Sequence, residues 1–86
     1  MSEGKARGGL DPDAALGAVI AEFRGRLQLS PAELGARAEL DASQVAAIEA
    51  GRLEPTWGEL RRIAHALEVG LPELLKEAEG RADRWD

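Results

Sequence analysis

The chain has 86 residues, enough for one compact domain and too few for two. Its apolar residues are mostly Ala, Leu, Ile and Val, with Phe23, Trp57 and Trp85 as the only aromatics, a composition that favours a small helical core. Eleven Lys and Arg against sixteen Asp and Glu leave a net charge of −5, the wrong sign for a protein held on nucleic acid by bulk charge; the lack of Cys excludes disulfides and thiolate metal sites.

Residues 1–10 carry three Gly and no apolar rhythm and are expected to form a flexible N-terminal tail. Asp11-Pro12-Asp13 then starts a helix: Asp11 caps, Pro12 suits the first helical position and Asp13 complements the positive end of the helix dipole. Leu16, Ile20, Phe23 and Leu27 follow on one face, so this helix is expected to reach about Leu27. Ser30-Pro31-Ala32-Glu33 is a capping box opening a second helix to about Ala38. Asp41-Ala42-Ser43-Gln44 is another, opening a third helix over about 42–50 that turns Val45 and Ile48 inward and stops at Gly51. Thr56-Trp57-Gly58-Glu59 opens a fourth helix with Leu60, Ile63, Ala64 and Leu67 on its inner face and Gly70 beyond. Leu71-Pro72-Glu73-Leu74-Leu75 starts a fifth, and apolar rhythm is lost near Glu79. No segment alternates as a strand would, so the expectation is an all-α, compact five-helix domain over 11–78 with a C-terminal tail at 79–86.

The second and third helices are joined by two or three residues, too few for an antiparallel hairpin of long helices, so they must cross steeply as a helix-turn-helix. The landmarks Leu29-Ser30-x-x-Glu33-Leu34, Val45-x-x-Ile48-Glu49-x-Gly51-x-x-x-Pro55 and Leu60-x-x-Ile63-Ala64-x-Ala66-Leu67 resemble the Xre/Cro/CI-type helix-turn-helix domain of phage-repressor-like regulators, over roughly residues 12–76. The resemblance implies a lambda-repressor-like fold and a sequence-specific DNA-binding transcriptional regulator. It would act as a homodimer on double-stranded DNA, with helix 3 in the major groove of each half of a palindromic operator. Carried over by position, the base-reading face falls on Ala42, Ser43, Gln44 and Ala47, with Ala46 close by. Gln44 is expected to pair with adenine through two hydrogen bonds, Ser43 to give one, and an Ala methyl to touch thymine. The resemblance also implies a structural ion pair between Arg24 and Glu49 that ties helix 1 to helix 3.

Two departures from the family pattern bear on DNA. Pro31 stands where the family often has a Gln that reaches the DNA backbone, and Glu39 where the turn often has Gly. Between Ser30 and Gly51 the only base is Arg37, against Glu33, Glu39, Asp41 and Glu49, a net charge of −3, or −2 once Glu49 is assigned to its ion pair. Phosphate contacts are therefore expected from Arg52, from Arg61 or Arg62, and from Lys5 and Arg7 in the tail.

The alternative is a helix-turn-helix protein-interaction module, an antitoxin or adaptor with weak or no DNA binding. The acidic surface, the Ala-rich third helix and two Trp speak for it: Trp57 is either a cover on the domain edge or an anchor for a protein partner, and Trp85 sits in a polar tail. Helices 4 and 5, with Leu71, Leu74 and Leu75, are the expected dimer surface if the family's habit holds. No enzyme is expected: His65 has no nucleophile or carboxylate spaced to organise around it, and Asp11, Asp13, Glu77 and Glu79 read as solvated charge. One His makes no metal site, and no cofactor is expected. No apolar run exceeds about four residues, against the ~20 that span a bilayer, and no signal-type stretch opens the chain, so a cytoplasmic location is expected.

Overall fold

The computed structural model describes residues 11–82. Among the described residues the fold is all-α, with five helices: α1 (Pro12–Arg26), α2 (Pro31–Ala38), α3 (Ala42–Glu49), α4 (Trp57–Ala66) and α5 (Leu71–Arg81). The starts are fixed locally. Asp11 Oδ1 accepts from the Ala14 amide at 2.8 Å, and Ser30 and Glu33 exchange bonds of 3.0 and 2.7 Å across the first turn of α2. Thr56 and Glu59 do the same for α4 at 3.1 and 2.9 Å. Each bond satisfies a backbone amide that the helix itself leaves without a partner.

The ends of α1 to α4 share one device. Gln28, Glu39, Gly51 and Glu68 all lie in the left-handed region, with φ of 59°, 62°, 76° and 61°. The amide one residue further on reaches back into the last turn in every case: Leu29 to Arg24 O, Leu40 to Gly35 O, Arg52 to Ala47 O and Val69 to Ala64 O, at 2.8 to 3.1 Å. Only Gly51 adopts this conformation without crowding a Cβ; Gln28, Glu39 and Glu68 each lose about 1 kcal/mol relative to Gly. Gly70, expected as the stop of α4, instead precedes α5 at φ −70° and its amide meets Glu73 Oε1 at 3.4 Å.

The core joins one face of every helix: Val19 and Ile20, Leu34 and Ala38, Val45 and Ile48, Leu60 to Leu67, and Leu74 with Ala78. Leu16, Phe23 and Leu27 flank it half-buried, so the innermost row of α1 is Ala15, Val19 and Ile20. No polar or charged side chain is buried among the described residues. The tightest approach is between α1 and α3, where a Cβ on Gly17 would collide with the carbonyl oxygens of Ile48 and Glu49.

The fifth helix outruns the expectation. It continues through Glu79 and Gly80 to Arg81 because Ala78 is buried and Arg81 hydrogen-bonds Glu22 of α1, which also holds Arg26 at 2.7 Å. The bond from Arg81, and then that from Arg26, hold the Glu22 carboxyl below its ordinary value of 4.5. A carboxyl depressed in this way stabilises the fold above its unfolded value and loses that contribution as the pH falls through its folded one. Acidification below about 4.5 is therefore expected to loosen the last turn of α5, seen as lower amide protection factors, that is, exchange relative to the intrinsic rate at each pH, at Ala78–Arg81, and Glu22→Gln should weaken that pH dependence of protection.

Two glycines of α1 should respond oppositely to Ala. Gly25 has open space around it, so Gly25→Ala is expected to raise stability by roughly 0.5–1 kcal/mol, while Gly17→Ala should lower it by roughly 2–3 kcal/mol, both read as shifts in the urea midpoint.

Candidate nucleic-acid interface

Three residues, Glu39, Leu40 and Asp41, separate α2 from α3. Gly35 allows the turn to close: a side chain there would strike the Leu40 carbonyl, and the Leu40 amide bonds Gly35 O at 2.8 Å. With Val45 and Ile48 drawn into the core, the periodicity of α3 leaves Ala42, Ser43, Ala46 and Ala50 exposed and Gln44 and Ala47 half-buried. The exposed face thus ends in three methyls and one hydroxyl, with the Ala47 methyl and the Gln44 amide half-buried beside them.

Gln44 lies at the edge of this face. Gln44 Oε1 accepts from the Asp41 amide at 2.9 Å, closing the first turn of α3. The cap uses one acceptor site of the carbonyl and leaves its second lone pair and the amide NH2.

Arg24 and Glu49 meet in a two-pronged pair, Nε to Oε2 at 2.6 Å and Nη2 to Oε1 at 2.9 Å, while Arg24 Nη1 donates to Leu29 O at 2.8 Å. The Glu49 hydrogen bonds hold the Arg24 guanidinium above its ordinary value. One arginine thus joins the last turn of α1, the end of α3 and the loop before α2. Glu49 is turned into the domain at 11% side-chain exposure, so its charge is neutralised away from the outer face of α3.

The other bases near α3 divide into two groups. Arg62 Nε donates to Ala38 O at 2.8 Å and lies 3.7 Å from Glu39, capping the carbonyl end of α2 from α4. Arg37 reaches Glu68 at 3.9 Å, an exposed and weak pairing. Arg52 and Arg61 are exposed and have no carboxylate partner among the described residues. Arg52 directly follows Gly51, and its backbone amide is anchored to Ala47 O, which sets it at the end of the α3 face. Trp57, in the first turn of α4, is 64% exposed and covers no core, and Leu53 beside the same loop is 39% exposed. His65 is exposed. Lys5, Arg7 and Trp85 lie outside the described residues.

A sequence profile of the helix-turn-helix domain family matches residues 15–78, most of the chain. The chain belongs to the helix-turn-helix domain family. Similar solved structures agree with the Xre/Cro/CI-type resemblance. The clp gene regulator ClgR from C. glutamicum is 27% identical with a TM-score of 0.81, over 86% of this chain and 95% of that one. The restriction-modification controller protein C.AhdI from Aeromonas hydrophila is 28% identical with a TM-score of 0.69, over 71% and 92%. The P22 c2 repressor, solved with a synthetic operator, is 26% identical with a TM-score of 0.68, over 72% and 94%. No curated protein matches. The fold is that of helix-turn-helix transcription regulators, and family and fold are those of non-enzymatic DNA-binding proteins.

In this helix-turn-helix domain the Arg24–Glu49 pair locks α3 to α1. With exposures of 21% and 11% it is partly screened, so Arg24→Ala is expected to lower stability by about 2 kcal/mol, short of the ~3–5 for a fully buried pair. The double variant with Glu49→Ala should be less destabilised than the sum of the single changes, as measured by urea unfolding.

Proposed function

We propose that the protein is a sequence-specific transcription regulator of the Xre type that binds operator DNA as a homodimer. In this reading α3 of each protomer enters the major groove of one half of a palindromic site, the half-sites lying one helical turn apart. The observation that carries it is the side of α3 left uncovered: Ala42, Ser43 and Ala46 stand exposed, with Ala47 and Gln44 at their edge and Arg52 at their end. Arg52 and Arg61 supply phosphate contacts, since the remaining arginines near α3 are engaged within the domain. The regulatory effect is exclusion or recruitment of polymerase, and the cytoplasm is where it operates. No helix among the described residues is long and apolar enough to cross a membrane.

The second reading, a helix-turn-helix module that binds a protein, is favoured by one observation. Trp57 and Leu53 are exposed large apolar side chains, and the carboxylates Glu33, Glu39, Asp41 and Glu54 are exposed as well. Such a surface suits a basic partner with an apolar anchor.

Selection from a pool of random duplexes at about 50 mM and then about 150 mM salt separates the two. The regulator reading expects a palindromic site to be enriched at the lower salt. Each phosphate contact contributes about 0.9 to the slope of log affinity against log salt, so Arg52→Ala in both protomers should reduce that slope by about 2 and weaken all sequences alike. Failure of any duplex to enrich at the lower salt would remove this reading and leave the protein-binding one.

A further inference from the structure

We propose that the open groove between α1 and α5 is a docking site for the chain's own residues 83–86, with the indole of Trp85 as the anchor. The groove has a volume of about 810 Å³. Its floor is apolar, made by half-buried Phe23 and Leu27 of α1 and by Leu67 and Val69 just beyond α4. Gly80 and Arg81, from the last turn of α5, also line it. Gly17 and Arg24, which meet α3, lie on a different side of α1. Docking in the groove therefore leaves the outward face of α3 uncovered, whichever partner that face takes.

The place where the described chain ends and the chemistry of the floor together name the occupant. Arg81 hydrogen-bonds Glu22, the neighbour of Phe23, so α5 stops at the Phe23 end of the groove, and Ala82 turns out of the helix with φ −75° and ψ 152°. Trp85 stands three residues beyond Ala82, a reach of about 10 Å in an extended chain, equal to about seven residues of helix. That reach covers the stretch of α5 from Arg81 back past Lys76, and with it Phe23. Arg26 lies 4.7 Å from the centroid of the Phe23 ring, so an aromatic occupant gains apolar contact with Phe23 and Leu27 and also a guanidinium beside its π face, which an aliphatic one would not use. Trp85 is the one apolar side chain in Asp83-Arg84-Trp85-Asp86. The α5 wall carries both signs in exposed Lys76 and Glu77, which complement the acids and the arginine that flank the ring.

The test is the fluorescence of Trp57→Phe, in which Trp85 is the sole tryptophan; Trp57 covers no core, so the fold is kept. The expected result is an emission maximum blue-shifted from that of the urea-unfolded protein and acrylamide quenching several-fold weaker, both independent of protein concentration. Gly80 is exposed and has open space where a Cβ would stand, so Gly80→Gln puts a longer side chain into the groove without a collision inside the domain, and it removes a glycine from a helix. With that change Trp85 should become as quenchable as in the unfolded protein while the urea midpoint holds or rises, and Gly80→Ala should leave the protection in place. Emission and quenching in Trp57→Phe that match the unfolded protein would overturn the proposal. So would protection that Gly80→Gln leaves untouched, which would seat the ring elsewhere on the domain, and protection that appears only as concentration rises, which would seat it on a second copy.

Discussion

The position of α3 depends on its contact with α1. Gly17 brings the two backbones so close that a single methyl would strike the Ile48 and Glu49 carbonyls, and Gly51, at the end of α3, passes within 3.0 Å of Ala14 when a Cβ is placed on it. Two turns along α1 from Gly17, Arg24 takes the Glu49 carboxylate in two bonds and the Leu29 carbonyl in a third. Steric closeness sets the separation of the helices, and the guanidinium sets how they are aligned along one another. The exposed face of α3 follows from these contacts, because Val45 and Ile48 have no other direction in which to be buried.

The distribution of charge is as telling as its sum. A chain of net charge −5 places Arg24, Arg26, Arg37, Arg62 and Arg81 on carboxylates or carbonyls of its own. They hold α1 to α3, α1 to α5 and α4 to α2, and so contribute to the fold more than to any outside anion. Arg52 and Arg61 remain exposed, as do Glu39 and Asp41. Under the DNA-binding proposal, so few free bases would leave little attraction to DNA of arbitrary sequence.

Local chemistry was legible in the sequence, and tertiary chemistry largely was not. Ser30 with Glu33 and Thr56 with Glu59 act across three residues, so their spacing announces the helix starts. Gly51 announces an end for the same reason. Gln28, Glu39 and Glu68 adopt the same left-handed geometry without the residue that signals it, and α4 ends at Ala66 with its left-handed turn at Glu68, before Gly70 is reached. The last turn of α5 depends on Arg81 finding Glu22, and the end of α2 on Arg62 finding Ala38 O, partners 59 and 24 residues apart for which no periodicity exists. Arg24 and Glu49 could be named as partners only through family resemblance, since their separation of 25 residues carries no signal of its own. Gln44 shows a different limit: its spacing fits both a cap and a reading position, and the fold shows the cap.

The most direct test of where this domain meets its target is an amide chemical-shift map of the labelled protein titrated with the duplex it prefers. The account predicts that the largest shifts fall on Ala42–Ala47 and Arg52, with α5 and the outer half of α1 little changed. Shifts centred instead on Leu53 and Trp57, or along the α1–α5 contact, with α3 silent, would contradict the assignment of α3 as the reading element.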